Sequence, residues 1–163
     1  MSTAIADTVI VTRRIKAPRE RVFSAFATAE AVGQWFGCHP VTVLDCSVDF
    51  RVGGAYRIRI SSPAHGEMVA SGEYVEIVEP SRIAYTWKWE DDEDWDALRS
   101  LVTFEFGDLG DETEVRLTHT GFPGAGSRDN HTAGWNRCLR MLDSVLTGEP
   151  IPDSECAGSC GAA

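Results

Sequence analysis

The sequence predicts a single α+β domain over residues 8–147, built from a curved antiparallel sheet of about seven strands wrapped around a long C-terminal helix, with two short helices after the first strand. Three observations predict it. An alternating apolar run is followed by helical spacing near the start, short alternating runs separated by turn residues fill the middle, and a long helical apolar stripe lies near the end. With 163 residues, of which 43% are hydrophobic, the chain can bury one continuous core.

The first part of the chain predicts a strand and two short helices. Apolar residues alternate imperfectly over residues 9–15, and the run ends before Pro18, whose missing N–H is tolerated in the first turn of a helix. The apolar residues that then recur at helical spacing are Val22, Phe23 and Phe26. We expect a first helix ending at about Ala27 and a second helix over residues 30–35.

The middle of the chain predicts an antiparallel meander. The predicted strands are residues 41–46, 55–61, 68–78, 82–90, 99–106 and 113–120. Turn residues separate them, for example Gly53-Gly54 and Pro80. The consecutive carboxylates of residues 90–94 are expected to form a solvated hairpin tip, with a loop that binds a cation or a basic partner as the alternative.

The last predicted element is a long helix over residues 129–146. The residues on its apolar stripe are Trp135, Cys138, Leu139, Leu142, Val145 and Leu146. Ser127 and Asp129 are the candidate N-caps, and Gly148 and Pro150 end the helix. We expect residues 1–7 to be flexible and residues 148–163 to form a disordered tail that folding does not require.

The charge of the chain disfavours two classes of partner. The 25 acidic residues outnumber the 15 basic residues, and the formal net charge of −10 repels nucleic-acid phosphates and anionic membrane surfaces. The N-terminus lacks the basic and apolar segments of a secretory signal, and no apolar run reaches the ~20 residues of a membrane span. We therefore expect a cytoplasmic protein that binds no nucleic acid and does not insert into membranes.

Several short segments occur in an order that a known family shares. They are residues 15–23, Gln34-Trp35-Phe36, Gly53-Gly54-Ala55-Tyr56, Gly72 with Glu73, residues 117–122, and Gly134-Trp135. Together they resemble the Bet v 1/START-like (SRPBCC) superfamily and, within it, the bacterial proteins related to the C-terminal domain of the Hsp90 ATPase activator. The resemblance implies the helix-grip fold and, as in many members, an internal cavity between the sheet and the long helix.

An aromatic inner shell is the candidate ligand site. Strand alternation places Tyr85, Trp87 and Trp89 on one face, and Leu117 and His119 on one face of the last strand. The candidate ligand-binding residues are Phe23, Phe26, Trp35, Tyr56, Tyr85, Trp87, Trp89, Leu117, His119, Trp135 and Cys138. Apolar walls with a few polar groups are typical of small-molecule pockets, although such side chains also fill ordinary cores.

The sequence gives little support for catalytic or metal chemistry. His119 could act as a general base, anchor a ligand or bond backbone carbonyls, and His131 could reach the same region. No Gly-x-Ser-x-Gly motif is present, and neither Cys38-His39 nor the pair Cys156 and Cys160 has the spacing of a recognised zinc motif. The 5 irregularly spaced cysteines indicate reduced thiols. We assign no catalytic residue, no metal ligand and no cofactor.

These observations favour a binding module over an enzyme. We expect it to hold an apolar or aromatic small molecule, lipid-like or polyketide-like, between the sheet and the C-terminal helix. A cyclase- or hydrolase-like enzyme using the same cavity and an Hsp90-type co-chaperone or protein-interaction domain stay open, as does a homodimer. The eukaryotic activators carry an additional N-terminal domain, whereas only residues 1–7 precede the first predicted strand here, so we expect no stand-alone activation of Hsp90.

Overall fold

In the computed structural model of the chain, the structure describes residues 8–36, 41–63, 66–96 and 98–149. The expectations for residues 1–7, for the chain beyond residue 149 and for Cys38-His39, Cys156 and Cys160 lie outside the described residues. The strands are β1 Thr8–Ile15, β2 Thr42–Val48, β3 Ala55–Ser62, β4 Gly66–Val78, β5 Arg82–Thr86, β6 Lys88–Trp89, β7 Leu101–Asp108 and β8 Thr113–Thr120. The helices are α1 Arg19–Ser24, α2 Ala29–Phe36, α3 Glu93–Asp96 and α4 Ala125–Thr147.

The strands form one antiparallel sheet in the order β1-β8-β7-β5-β4-β3-β2, and β6 pairs with β4 off this path. The long helix α4 packs against β1 and α2. Strand alternation buries one face of the sheet, as in β8, where Val115, Leu117 and His119 are buried and their neighbours are not. The predicted helix-grip fold is confirmed. Among the helices of the described residues, none is long and apolar enough to cross a membrane.

The predicted strand over residues 82–90 is interrupted at Trp87, which corrects the sequence prediction. β5 pairs with both β4 and β7, whereas β6 pairs with β4. The chain parts from β7 after Trp87, whose backbone N–H donates to Ser100 O at 3.0 Å. On the β4 side, Gly72 lies against Thr86, and a Cβ there would overlap with Thr86 O. The interruption depends on this close approach of two backbones, which hydrophobic alternation does not reveal.

The start of α4 also differs from the prediction. The helix begins at Ala125 rather than near residue 129, and its N-cap is Gly124. Within the described residues no side chain caps it, so neither candidate, Ser127 or Asp129, has that role. In this first part of α4, His131 donates a hydrogen bond to Ser127 O, one turn earlier in the same helix, at 2.7 Å, and its ring packs on Phe122, which precedes the helix.

The acidic segment after β6 is more than a solvated hairpin tip. Its second half forms the short helix α3, which buries Trp95 to 3% exposure. Its first residue, Glu90, accepts a bidentate pair of hydrogen bonds from Arg57 at 3.0 and 3.1 Å. The carboxylates therefore stay at the surface, while the one aromatic residue among them is drawn into the fold.

Candidate functional site

A cavity of about 350 Å³ lies between the sheet, α3 and α4. Its volume is at the lower end of the range of about 300–1,000 Å³ that is usual for small-molecule pockets. The aromatic residues on its wall include 4 of the 5 tryptophans of the chain; they are Phe36, Trp87, Trp89, Trp95 and Trp135. Charged and ionisable groups also reach the wall, namely Asp92, His131 and Arg137.

Three elements bring the tryptophans together. Trp87 lies between β5 and β6, Trp89 ends β6, Trp135 projects from α4, and Trp95 comes from α3. The ring centroid of Trp87 is 5.3 Å from that of Trp89 and 5.2 Å from that of Trp135, in edge and tilted arrangements. These are favourable distances for aromatic pairs, and the rings therefore support one another as a firm wall.

His131 is fixed in one neutral tautomer by Trp89. The indole N–H of Trp89 donates to Nε2 of His131 at 3.0 Å. Because an indole can only donate, Nε2 must be unprotonated, and the ring hydrogen sits on Nδ1, which donates to Ser127 O at 2.7 Å. Both ring nitrogens are thus engaged, and burial lowers the pKa of His131.

His119 is likewise fixed in one neutral tautomer by an indole donor. The indole N–H of Trp135 donates to its Nδ1 at 3.0 Å, so Nε2 carries the hydrogen and donates to Ser100 Oγ at 2.7 Å. The serine hydroxyl in turn donates to Thr120 O at 3.0 Å. Burial, and secondly the nearby His131, lower the pKa of His119 well below its usual value. This geometry gives His119 a structural role, behind the cavity wall.

Trp87 differs from its neighbours in one respect. The indoles of Trp35, Trp89 and Trp135 each donate to an acceptor, the first to Ala25 O at 2.9 Å. The Nε1 of Trp87 is buried and has no acceptor among the residues that the structure describes. Leaving a buried donor without an acceptor costs about 1–3 kcal/mol, so native structures rarely keep one without a reason.

The thiol on the cavity wall is not poised for nucleophilic chemistry. Burial raises the pKa of Cys138 to about 12, and the opposing effect of the neighbouring Arg137 is smaller. The thiol donates to Phe36 O at 3.1 Å. A protonated and hydrogen-bonded thiol is a poor nucleophile and a poor metal ligand. In the described part of the chain, no group of three or more His, Cys, Asp or Glu side chains is placed to hold a metal ion.

The structure separates the sequence-predicted site residues into three groups. Those on the cavity wall are Trp87, Trp89, Trp135 and Cys138. Those around a second void of about 20 Å³, room for roughly one water molecule, are Phe26, Trp35, Tyr56 and Tyr85. The remaining three, Phe23, Leu117 and His119, are buried in the core and line neither space.

Sequence reasoning missed Phe36, Trp95 and Arg137 as cavity residues. Phe36 follows Trp35 in one of the segments that carried the resemblance, so helical spacing on α2 was a usable signal. Trp95 stands among carboxylates with no apolar periodicity around it, and only tertiary packing reveals it. Arg137 is 5% exposed, a burial that is rare for arginine and that its sequence context does not indicate.

Comparison with known proteins gives a family and a set of solved structures. The family model described as "Activator of Hsp90 ATPase homolog 1-like protein" matches residues 16–147. A protein from Chromobacterium violaceum is 30% identical, with a TM-score of 0.74 over 89% of this chain and 99% of that one. Comparison with curated proteins gives no match.

Two more distant structures share the fold. The AHSA1 protein from Silicibacter pomeroyi is 23% identical, with a TM-score of 0.76 over 88% of this chain and 99% of that one. The solution structure of the Aha1 dimer from Colwellia psychrerythraea is 19% identical, with a TM-score of 0.68 over 88% of this chain and 98% of that one. At these identities the likeness extends to the fold alone.

Proposed function

Because the chain belongs to the family of Activator of Hsp90 ATPase homolog 1-like proteins, we propose that it is a ligand-binding domain that holds an apolar or aromatic small molecule in the tryptophan-lined cavity. The family supports a domain of the ligand-binding or co-chaperone type in general. The observation that carries the first of these is the cavity itself, about 350 Å³ in volume and walled by four tryptophans and Phe36.

Two ionisable groups of the wall, His131 and Cys138, are suited to binding rather than to catalysis. A general base needs a free nitrogen or oxygen within reach of the substrate proton. His131 has both nitrogens engaged by Trp89 and Ser127, and the Cys138 thiol is protonated and donates to Phe36 O. These groups are suited to holding the wall in shape, whereas the aromatic faces supply the apolar contact area that a ligand needs.

Native mass spectrometry of freshly purified protein tests the proposal directly, since a co-purified small molecule would add a discrete mass. Titration with fatty acids, flavonoids and polyketide-like aromatics should then change the tryptophan emission saturably for at least one class. If no mass is carried through purification and no class changes the emission saturably, the proposal fails.

The co-chaperone alternative has its own test. A pull-down with Hsp90 and a coupled ATPase assay at equimolar protein should show neither tight binding nor stimulation if small-molecule binding is the main activity. Clear stimulation would place the co-chaperone function first.

A homodimer is a further proposal, suggested by the dimer formed by the Colwellia protein, and light scattering after size-exclusion chromatography measures it.

A further inference from the structure

His131 holds one tryptophan of the cavity wall through a hydrogen bond that only a neutral imidazole can make. Its unprotonated Nε2 accepts from the indole N–H of Trp89 at 3.0 Å, while its Nδ1 donates to Ser127 O at 2.7 Å. Trp89 and His131 both line the cavity, so this bond joins β6 to α4 within the wall itself. A proton on Nε2 would face the indole hydrogen and remove the bond.

The imidazole of His131 also packs against other rings of the wall. Its centroid lies 5.3 Å from that of Trp95 and 6.1 Å from those of Trp87 and Trp89. Phe122, which precedes α4, lies on it at 5.2 Å. Because two N–H groups cannot point at each other across 3.0 Å, a proton on Nε2 forces either the imidazole or Trp89 to move. Either movement disturbs the packing of three of the four tryptophans that line the cavity.

Among the described residues, three other titratable or charged side chains share the inner surface with His131. His119 of β8 lies against it, with ring centroids 5.4 Å apart, and Asp92 and Arg137 reach the cavity wall. The remaining charged side chains next to its ring contacts are exposed or bound to another charge; they are Lys88, Glu93 and Asp94, which are exposed, Glu90, which is bound to Arg57, and Arg128, which is bound to Asp129.

Of the two histidines, His131 is the one that acid protonates first. His119 is 0% exposed and lines neither void, whereas His131 is partly exposed and borders the cavity, from which water can deliver a proton. Burial lowers the pKa of both histidines, and the neighbouring His131 lowers the pKa of His119 further. The hydrogen bond to Ser127 O acts in the opposite direction and raises the pKa of His131. Acid therefore charges the residue on the wall while the one behind it stays neutral.

We propose that protonation of His131 breaks its hydrogen bond with Trp89, opens the cavity wall and releases the bound ligand. The proposal rests on the proposed function of the cavity and concerns its regulation. The intact wall and the proton on Nε2 exclude each other, so a ligand that needs the intact wall binds the neutral form. By linkage, the ligand must oppose protonation of His131 by the same factor by which acid weakens its binding.

Binding of 9-fluorenone, an uncharged three-ring ketone that takes up no proton in this range, measures the effect. Calorimetric titrations run from pH 8 down to the lowest pH at which the chain stays folded, with the folded fraction established by urea unfolding at each pH. The affinity should be constant above the pKa of His131 in the ligand-free protein. Below that pKa it should fall by up to about tenfold per pH unit, because one proton must leave for each ligand bound.

Two variants show which histidine is responsible. His131→Gln supplies an amide oxygen that can accept from Trp89 without titrating, so the affinity of this variant should change by less than about twofold over the same pH range. His119→Asn is the matched control behind the wall, with an amide oxygen for Trp135. It still contains His131 and should keep the fall seen in the wild type.

Imidazole ¹⁵N spectra of the wild-type chain give the second readout. At pH 8, His131 should carry its hydrogen on Nδ1 and His119 on Nε2, as their indole partners require. As the pH is lowered, Nε2 of His131 should take up a proton over the same pH range in which the indole N–H signal of Trp89 moves. Saturating fluorenone should shift this titration to lower pH.

The outcomes separate this proposal from the proposed function. A fluorenone affinity that stays constant while His131 titrates, or a fall of equal size in the wild type and in His131→Gln, overturns the proposal and leaves the cavity as a binding site. Unfolding of the chain before His131 takes up a proton also overturns it. Failure of fluorenone to bind the wild-type chain saturably at pH 8 overturns it together with the proposed binding of aromatic ligands. The ¹⁵N titration uses the wild-type chain, so the test stands even where a variant folds poorly.

Discussion

Trp135 donates its indole N–H to Nδ1 of His119 at 3.0 Å, which links the middle of α4 to the end of β8. The bond requires a neutral imidazole, because a hydrogen on Nδ1 would face the indole hydrogen. The same condition applies to His131 beneath Trp89. Two buried contacts between α4 and the sheet side of the cavity therefore depend on uncharged histidines.

We predict that the protein loses stability as the pH falls below about 6.5, the ordinary pKa of histidine. Above that pH both histidines are neutral in the folded and unfolded states. Below it the unfolded chain binds protons that the folded chain resists, because burial lowers both folded pKa values. The free energy of unfolding should fall by up to about 1.4 kcal/mol per pH unit for each histidine, down to its folded pKa. Urea unfolding between pH 8 and pH 5 measures it.

The control is the double variant His119→Asn, His131→Gln, in which the side-chain amide oxygens can accept from Trp135 and Trp89 without titrating. The free energy of unfolding of this variant at pH 8 is expected to be lower than that of the wild type. Between pH 7 and pH 5, however, it should fall by less, because the two histidines no longer take up protons on unfolding. Both proteins have the same carboxylates, so the effect of carboxylate titration on the free energy of unfolding cancels in the comparison. Equal pH slopes for the two proteins would contradict the prediction.

Gly72 permits the close approach of β4 to Thr86, and this gives a second prediction. A Cβ at residue 72 would overlap with Thr86 O and lie against its Oγ1. Gly72→Ala should therefore lower the free energy of unfolding by about 1–3 kcal/mol, the usual cost of an overpacked position. Gly33→Ala is the matched control, because the new methyl on α2 would meet nothing within 4 Å. Gly33→Ala should stabilise the helix by about 0.5–1 kcal/mol. Urea unfolding measures both variants, and the prediction is wrong unless the two changes in the free energy of unfolding have opposite signs.

The sequence predicted the helix-grip fold because the apolar patterns that identify its strands and helices are local. Alternation identified β1, β3, β4 and β8 closely, and the stripe from Trp135 to Leu146 identified most of α4. The interruption at Trp87 and the burial of Trp95 depend on contacts between distant segments. Such contacts leave no periodicity in the chain.

The sequence predicted only part of the candidate site, because local alternation is visible in it and contacts between distant segments are not. Alternation correctly grouped Tyr85 and Trp87 as inward-facing residues, but it cannot tell which part of a sheet face lies under a packed helix and which part borders a void. That division depends on where α2 and α4 cross the sheet. Tyr85 therefore adjoins a space of about 20 Å³, and Trp87 adjoins one of about 350 Å³.

Cys138 gives a third prediction, on thiol reactivity. Its pKa of about 12, raised by burial, leaves almost no thiolate at pH 8. Iodoacetamide should therefore leave Cys138 unmodified in the folded protein and alkylate it readily after unfolding in urea, as peptide mass spectrometry would show. Fast alkylation of Cys138 in the folded state at pH 8 would mean that the helix opens locally or that the cavity admits the reagent to a reactive thiol.

The last prediction distinguishes the two aromatic regions by their effect on ligand binding. Trp35 lines only the smaller of the two voids described and donates to Ala25 O at 2.9 Å, whereas Trp135 lines the large cavity and donates to His119. Both tryptophans are buried, and Trp→Phe at either position removes a hydrogen bond that an acceptor needs, so both variants should lose about 1–3 kcal/mol of unfolding free energy.

Binding separates the two variants where stability does not. Trp35→Phe should leave the affinity for an aromatic ligand unchanged per folded molecule, because residue 35 lies outside the cavity wall. Trp135→Phe should weaken it, since the smaller ring removes contact area and releases His119 from its indole partner. Calorimetric titration with 9-fluorenone, a flat three-ring aromatic ketone, measures the affinity of each variant after urea unfolding has established its folded fraction. Equal losses of affinity in the two variants would mean that the ligand contacts the region around Trp35 as well, and the boundary drawn between the two voids would be wrong.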